Sequence, residues 1–147
     1  MASTLTKVLV HIVFSTKHRE PLIGPGVEAD LHAYIGGICR NMDSPLLAIN
    51  GTADHVHMMV SMSKNVALSD LLLNVKRDSS KWMHERSRDF SWQSGYFAFS
   101  IGESGAAALR QYIAGQKEHH ASVSFVDEVR SLLRKYGVAW DEEHVWS

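Results

Sequence analysis

Apolar and polar positions along the chain fall into blocks whose period changes. Residues 5–15, Leu-Thr-Lys-Val-Leu-Val-His-Ile-Val-Phe-Ser, are rich in β-branched and aromatic types, with polar breaks at Thr6, Lys7 and His11. Such a run predicts a strand buried on at least one face. A polar loop over 16–21 follows, punctuated by Pro21. From about Val27 to Asn41, Val27, Leu31, Tyr34, Ile35 and Ile38 recur at helical spacing. Gly36-Gly37 weakens this helix or lets a neighbour approach its backbone. Pro45 to Gly51 reads as a second strand and His55 to Met62 as a third. Asn50-Gly51 between them is a hairpin signal, so the two should pair antiparallel. Asn65 to about Arg88 carries the stripe Leu68, Leu71, Leu72, Val75, Ser79, Trp82 and Met83, a second helix capped by Asn65 or Ser69. Tyr96 to Ser100 is a short fourth strand. Helices are expected over 106–120 and from Phe125 to Tyr136, the latter ended by Gly137. An acidic, aromatic tail closes it.

The order strand–helix–strand–strand–helix–strand predicts an α+β fold: a ferredoxin-like, RRM-like antiparallel sheet with helices on one face, plus C-terminal helices. A length of 147 residues suits a single domain over 1–147.

Composition narrows the class. Hydrophobic residues make up 45% and charged residues 21%, as in an ordinary globular protein, which excludes disordered, collagen-like and disulfide-scaffold classes. The single cysteine, Cys39, permits no intrachain disulfide, fits a reducing cytosol, and reads as a buried small residue. No apolar run approaches the roughly 18 residues of a membrane span. Met1 to Lys7 lacks the apolar region of a signal peptide. A cytoplasmic protein with no membrane partner is therefore expected. Net charge is −1, so any nucleic-acid binding must rely on local positive charge. Lys17-His18-Arg19, and Lys76, Arg77, Lys81, Arg86 and Arg88, either grip phosphates or are solvated faces. Trp82, Trp92, Tyr96, Phe97 and Phe99 either stack on unpaired bases or fill the core.

Two short patterns carry candidate chemistry. His55 and His57, two apart on a strand, point to the same face while Val56 points into the core. They are either a pair of metal ligands or two imidazoles sharing a strand surface. Tyr112, Gln116 and His120 follow at four-residue steps and share one helix face. A tyrosine can serve as nucleophile and a glutamine oxygen suits Mg²⁺ or Mn²⁺; the same spacing also suits a packed, amphipathic helix.

Longer stretches resemble a known family. Val10-His-Ile-Val-Phe-Ser-Thr-Lys-His-Arg19, Asp54-His-Val-His-Met-Met-Val60, Trp92-Gln-Ser-Gly-Tyr-Phe-Ala-Phe-Ser100 and Gln111-Tyr-Ile-Ala-Gly-Gln-Lys-Glu-His-His120 occur in order. The tail from Asp127-Glu128 to Trp146 also fits. The chain resembles the single-tyrosine HUH transposases, the small enzymes of single-strand peel-and-paste insertion sequences and their REP-associated relatives. The resemblance implies a nucleophile at Tyr112 and a divalent metal, Mg²⁺ or Mn²⁺, held by His55, His57 and Gln116. It implies a homodimer acting on single-stranded DNA beside hairpins through a 5′-phosphotyrosine, with the tyrosine helix serving its own or the other subunit. His119 and His120 match the family's paired histidines. A helix that pivots near Gly102 and Gly105 is a further expectation. A host-domesticated relative, or a hairpin-binding protein without catalysis, are the alternatives.

Overall fold

A computed structural model describes residues 3–147; Met1 and Ala2, part of the stretch read above for a leader, lie outside the described residues. The elements are β1 (Leu9–Ser15), α1 (Pro25–Asn41), β2 (Leu46–Thr52), β3 (His55–Ser61), α2 (Leu68–His84), β4 (Phe97–Ile101), α3 (Ala106–Ala114), α4 (Gln116–His119) and α5 (Phe125–Lys135). The sheet order is β2-β3-β1-β4, antiparallel at every pairing, which is the ferredoxin-like arrangement. In the central pair Ser15 lies opposite His55 and Val13 opposite His57.

Strand alternation divides the side chains between two layers. Ile12, Phe14, Val56, Met58 and Val60 pack against Leu31, Ile35 and Cys39 of α1 and Leu71, Leu72 and Val75 of α2. Burial pushes the Cys39 thiol up to about 11, in keeping with an inert core residue. The opposite face holds two smaller clusters. Leu9 and Met59 meet Leu109 and Ile113 of α3, while Val13, Phe97 and Phe99 meet Phe125, Val129 and Leu133 of α5. His11, His55 and His57 share this face and are buried between the two clusters. Among the described residues no helix is long and apolar enough to cross a membrane.

Some expected boundaries shift, for physical reasons. The first strand starts at Leu9 rather than Leu5, because Leu9 is where both neighbours, Ser61 and Ile101, become available; Leu5 stays exposed. α2 starts after Ala67 with no side-chain cap, and Asn65 instead uses its N–H on Ser63 Oγ. The helix expected over 106–120 is broken. At Gly115 the backbone (φ −90°, ψ 12°) leaves helical geometry, so α3 ends before Gln116 and α4 starts on it. α5 does stop at Gly137, whose φ of 67° lets Val138 N–H reach back to Leu133 O.

Candidate active site

The β2–β3 hairpin delivers the histidines. A Cβ at Gly51 would stand 2.0 Å from the backbone oxygen of His55, so only glycine permits this close approach. His55 Nδ1–H donates to Asp54 Oδ1 at 2.7 Å, and the Thr52 hydroxyl donates to the same oxygen at 2.9 Å. His57 Nδ1 lies 2.8 Å from Nε2 of His11 on β1. Each imidazole is thus gripped at Nδ1 and turns Nε2 inward, the arrangement that orients histidine ligands in metal sites.

The inward nitrogens meet Glu128 from the first turn of α5. Its side chain is buried, and Oε1 accepts from His57 Nε2 at 2.8 Å and His120 Nε2 at 2.9 Å, with His55 Nε2 3.8 Å away. Oε2 accepts from the Tyr112 hydroxyl and from Gln116 Nε2, the latter at 2.9 Å. Gln116 Oε1 faces His55 Nε2 at 3.0 Å. The structure therefore brings His55, His57, Tyr112 and Gln116 together within one chain, despite the break at Gly115. His119 Nε2 lies 3.4 Å from Glu128 Oε2 without a hydrogen bond.

Electrostatics follow from burial around one carboxylate. Burial lowers His57 to about 4, with the neighbouring histidines adding to the fall and Glu128 opposing it. Burial likewise lowers His11 to about 3, with His57 adding to the effect. For Glu128, burial is outweighed by bonds from His120, His57 and Tyr112, which hold the carboxyl well below its ordinary range. Burial and then the Glu128 charge push the Tyr112 phenol well above its ordinary value. His120 is raised, because Glu128 outweighs burial there. The inward Nε2 of His57, an imidazole held neutral by burial, therefore stands beside a carboxylate held ionised.

That donor set fits a divalent ion. His55, His57, His120 and Glu128 each offer one ligand atom, all within 4.8 Å of one another. Imidazole nitrogens with a carboxylate and an amide oxygen suit Mn²⁺ or Mg²⁺. His120 and Glu128 thus stand beside the three ligands expected from sequence. Glu128 was missed there, although it interrupts the apolar stripe Phe125, Val129, Leu132 and Leu133 of an amphipathic helix. In the sequence His11 is a polar break in a strand within the family-like stretch Val10–Arg19, with no role of its own to read from it.

The site opens on two sides. A cavity of about 510 Å³ is lined by His11, Ser100, Tyr112, Lys135 and Tyr136. A second, of about 620 Å³, is lined by Thr52, Asp54, Lys117 and His120. The proposed cationic grips are more occupied than the sequence suggests. Lys76 Nζ donates to the backbone oxygens of Gln93, Ser94 and Gly95, Arg77 pairs with Asp78, and Arg19 donates to Trp146 O. Trp92, Phe97 and Phe99 are core residues, while Trp82 stacks on Tyr34 beneath the Arg86 guanidinium.

Comparison with known proteins shows the family and the fold. The family profile described as "Transposase IS200 like" matches residues 4–116, from before β1 to the start of α4. The transposases of insertion sequence IS200 from Salmonella typhimurium and Salmonella typhi are each 25% identical over 127 residues, covering 80% of this chain and 82% of the relative. In fold, the chain resembles a Deinococcus radiodurans protein described as a transposase, with a TM-score of 0.64 at 20% identity, covering 79% of this chain and 95% of that one. It also resembles a REP-associated tyrosine transposase bound to a REP hairpin, with a TM-score of 0.64 at 14% identity, covering 84% and 74%. With most of its length inside the family profile, the chain belongs to the IS200-like transposases.

Proposed function

We propose that this transposase cleaves and rejoins single-stranded DNA beside hairpins, with Tyr112 as nucleophile and a 5′-phosphotyrosine intermediate. The observation that carries the reading is the convergence of the Tyr112 hydroxyl and the inward nitrogens of His55, His57 and His120 around Glu128. His55, His57 and Gln116, with His120 and Glu128 beside them, would hold Mg²⁺ or Mn²⁺, which supplies Lewis-acid neutralisation of the scissile phosphate.

The rest falls to the chain's own groups. Tyr112 Oη attacks phosphorus, the bond from phosphorus to the 3′ oxygen breaks, and that oxygen leaves as the free 3′ end. A 3′-hydroxyl then attacks the tyrosyl phosphodiester and releases Tyr112, so joining needs no added energy source. Glu128 fixes the direction of the phenol by accepting its hydrogen bond. A phenol is protonated at neutral pH, and burial followed by the Glu128 charge raises it further, so the proton must leave as the new P–O bond forms. α3 is a nine-residue body with Gly102 and Gly105 before it and Gly115 after it, which suits movement of the nucleophile as a unit. A homodimer is part of this reading, and the hairpin-bound relative supports hairpin DNA as the partner.

The test is incubation with hairpin-bearing single-stranded DNA and Mn²⁺, followed by a denaturing gel. A covalent protein–DNA adduct that disappears in Tyr112→Phe and with EDTA is expected. Hairpin binding with no adduct under any metal would make the protein a binding module instead.

A further inference from the structure

We propose that His11 is a positioning residue for the metal centre, holding Nδ1 of His57 so that Nε2 is presented to the ion. The inference rests on the metal-binding reading above and deepens it. His11 is 1% exposed, on a central strand, between two apolar clusters where a leucine or phenylalanine would pack without a polar atom to satisfy. Its Nε2 lies 2.8 Å from His57 Nδ1, and the rings stack with centroids 5.1 Å apart at 27°. Phe99 and Tyr112 each neighbour it, with ring centroids 6.2 Å from that of His11. His55 has its own grip at Nδ1, the carboxylate of Asp54. His11 is the equivalent grip for the second histidine.

The choice of an imidazole follows from the hydrogen bonds of His57. Without an ion, Glu128 Oε1 accepts from His57 Nε2–H, so a neutral His57 has only a lone pair at Nδ1 and accepts there from His11 Nε2–H. With an ion on Nε2, that nitrogen carries no hydrogen. Nδ1 then holds the ring's proton and donates to His11 Nε2, whose own proton sits on Nδ1. Each ring stays neutral and keeps one proton, while both exchange tautomer together. A carboxylate can only accept and an ammonium can only donate, so neither serves both states. An imidazole does, and so does a primary amide.

Mn²⁺ titrations followed by electron paramagnetic resonance on the wild type, His11→Phe and His11→Gln test the proposal. Nitrogen NMR of the wild-type imidazoles, with and without Mg²⁺, provides a second readout. His11→Phe should bind Mn²⁺ about 10- to 100-fold more weakly while still folding in EDTA, and His11→Gln should recover most of the affinity. In the NMR experiment the His57 proton should move from Nε2 to Nδ1 when Mg²⁺ binds. Wild-type affinity in His11→Phe, or an unprotonated His57 Nδ1 with the ion bound, overturns the role of His11 alone. Absence of Mn²⁺ binding in the wild type overturns the metal centre and this inference with it. Should His11→Phe not fold, the His11→Gln titration and the wild-type tautomer still decide the question.

Discussion

Replacing Glu128 should unsettle the whole site, because four donors from four places in the chain end on its two oxygens. His57 and His120 share one oxygen, and Tyr112 and Gln116 share the other. In Glu128→Ala the partly buried Tyr112 can turn to water and His120, its side chain 9% exposed, only in part, while His57 and Gln116, fully buried, cannot. An orphaned buried donor costs about 1–3 kcal/mol. Relief of the carboxylate's own burial offsets part of that, leaving a net loss of about 2–4 kcal/mol. For a chain of this size that corresponds to a melting temperature lower by about 4–16 °C, read in EDTA so that metal plays no part. Glu128→Gln should lose less, since its amide still offers one acceptor and His57 can exchange tautomer to accept from the NH₂. Both variants should also bring the Tyr112 phenol down toward its ordinary value, because the carboxylate is one of the two effects that raise it. Ultraviolet difference titration reads that change. A Glu128→Ala protein that melts with the wild type and leaves the phenol where it was would refute the network.

Other outcomes follow from the same geometry. His57, near 4 when folded and 6.5 when unfolded, and His11, near 3, stay neutral in the native state while the unfolded chain takes up protons. Stability should therefore fall as pH drops from 6.5 toward 4, with Glu128 adding to the loss below its ordinary range and raised His120 opposing it; a melting temperature that holds flat or rises from pH 7 to 5 contradicts the assignment. Gly51→Ala drives a Cβ into the His55 backbone and should cost about 3 kcal/mol in thermal unfolding while weakening Mn²⁺ binding by displacing His55; native-like values for both would show that the hairpin yields. Lys76→Met leaves three loop carbonyls without their donor and should destabilise by about 1–3 kcal/mol. The salt dependence of hairpin binding should not change in Lys76→Met; a shallower slope would return Lys76 to the DNA surface.

How far the sequence reaches depends on whether a feature is local. The four strands and their antiparallel pairing follow from the hydrophobic pattern, and the sheet order from the strand–helix sequence, but the turn does not fall at Asn50-Gly51: both lie inside β2, opposite His57 and Val56, and the chain turns at Ala53-Asp54. The shared face of His55 and His57 follows from a two-residue period. Gly137 at the end of α5 is equally local. The break at Gly115 is not, because Tyr112 and Gln116 keep their common direction by both reaching Glu128 rather than by riding one helix. Glu128, His11 and Asp54 escape for the same reason. Each matters only through residues on other elements, and a lone acid or histidine in an amphipathic segment announces no partner. Charge counting is blind in a similar way: Lys76 reads as a phosphate grip or a solvated face along α2, yet the loop after Trp92 folds back and takes its ammonium.

The central claim is that one cation sits where the inward nitrogens of His55 and His57 meet Glu128, beside the phenol of Tyr112. A crystal soaked in Mn²⁺ and measured for anomalous scattering tests it directly. A single strong peak in contact with both imidazoles, within reach of the Tyr112 oxygen of the same chain or of a second copy, is the predicted result. Peaks only elsewhere, with His57 Nε2 still bonded to Glu128 at saturating Mn²⁺, would contradict it.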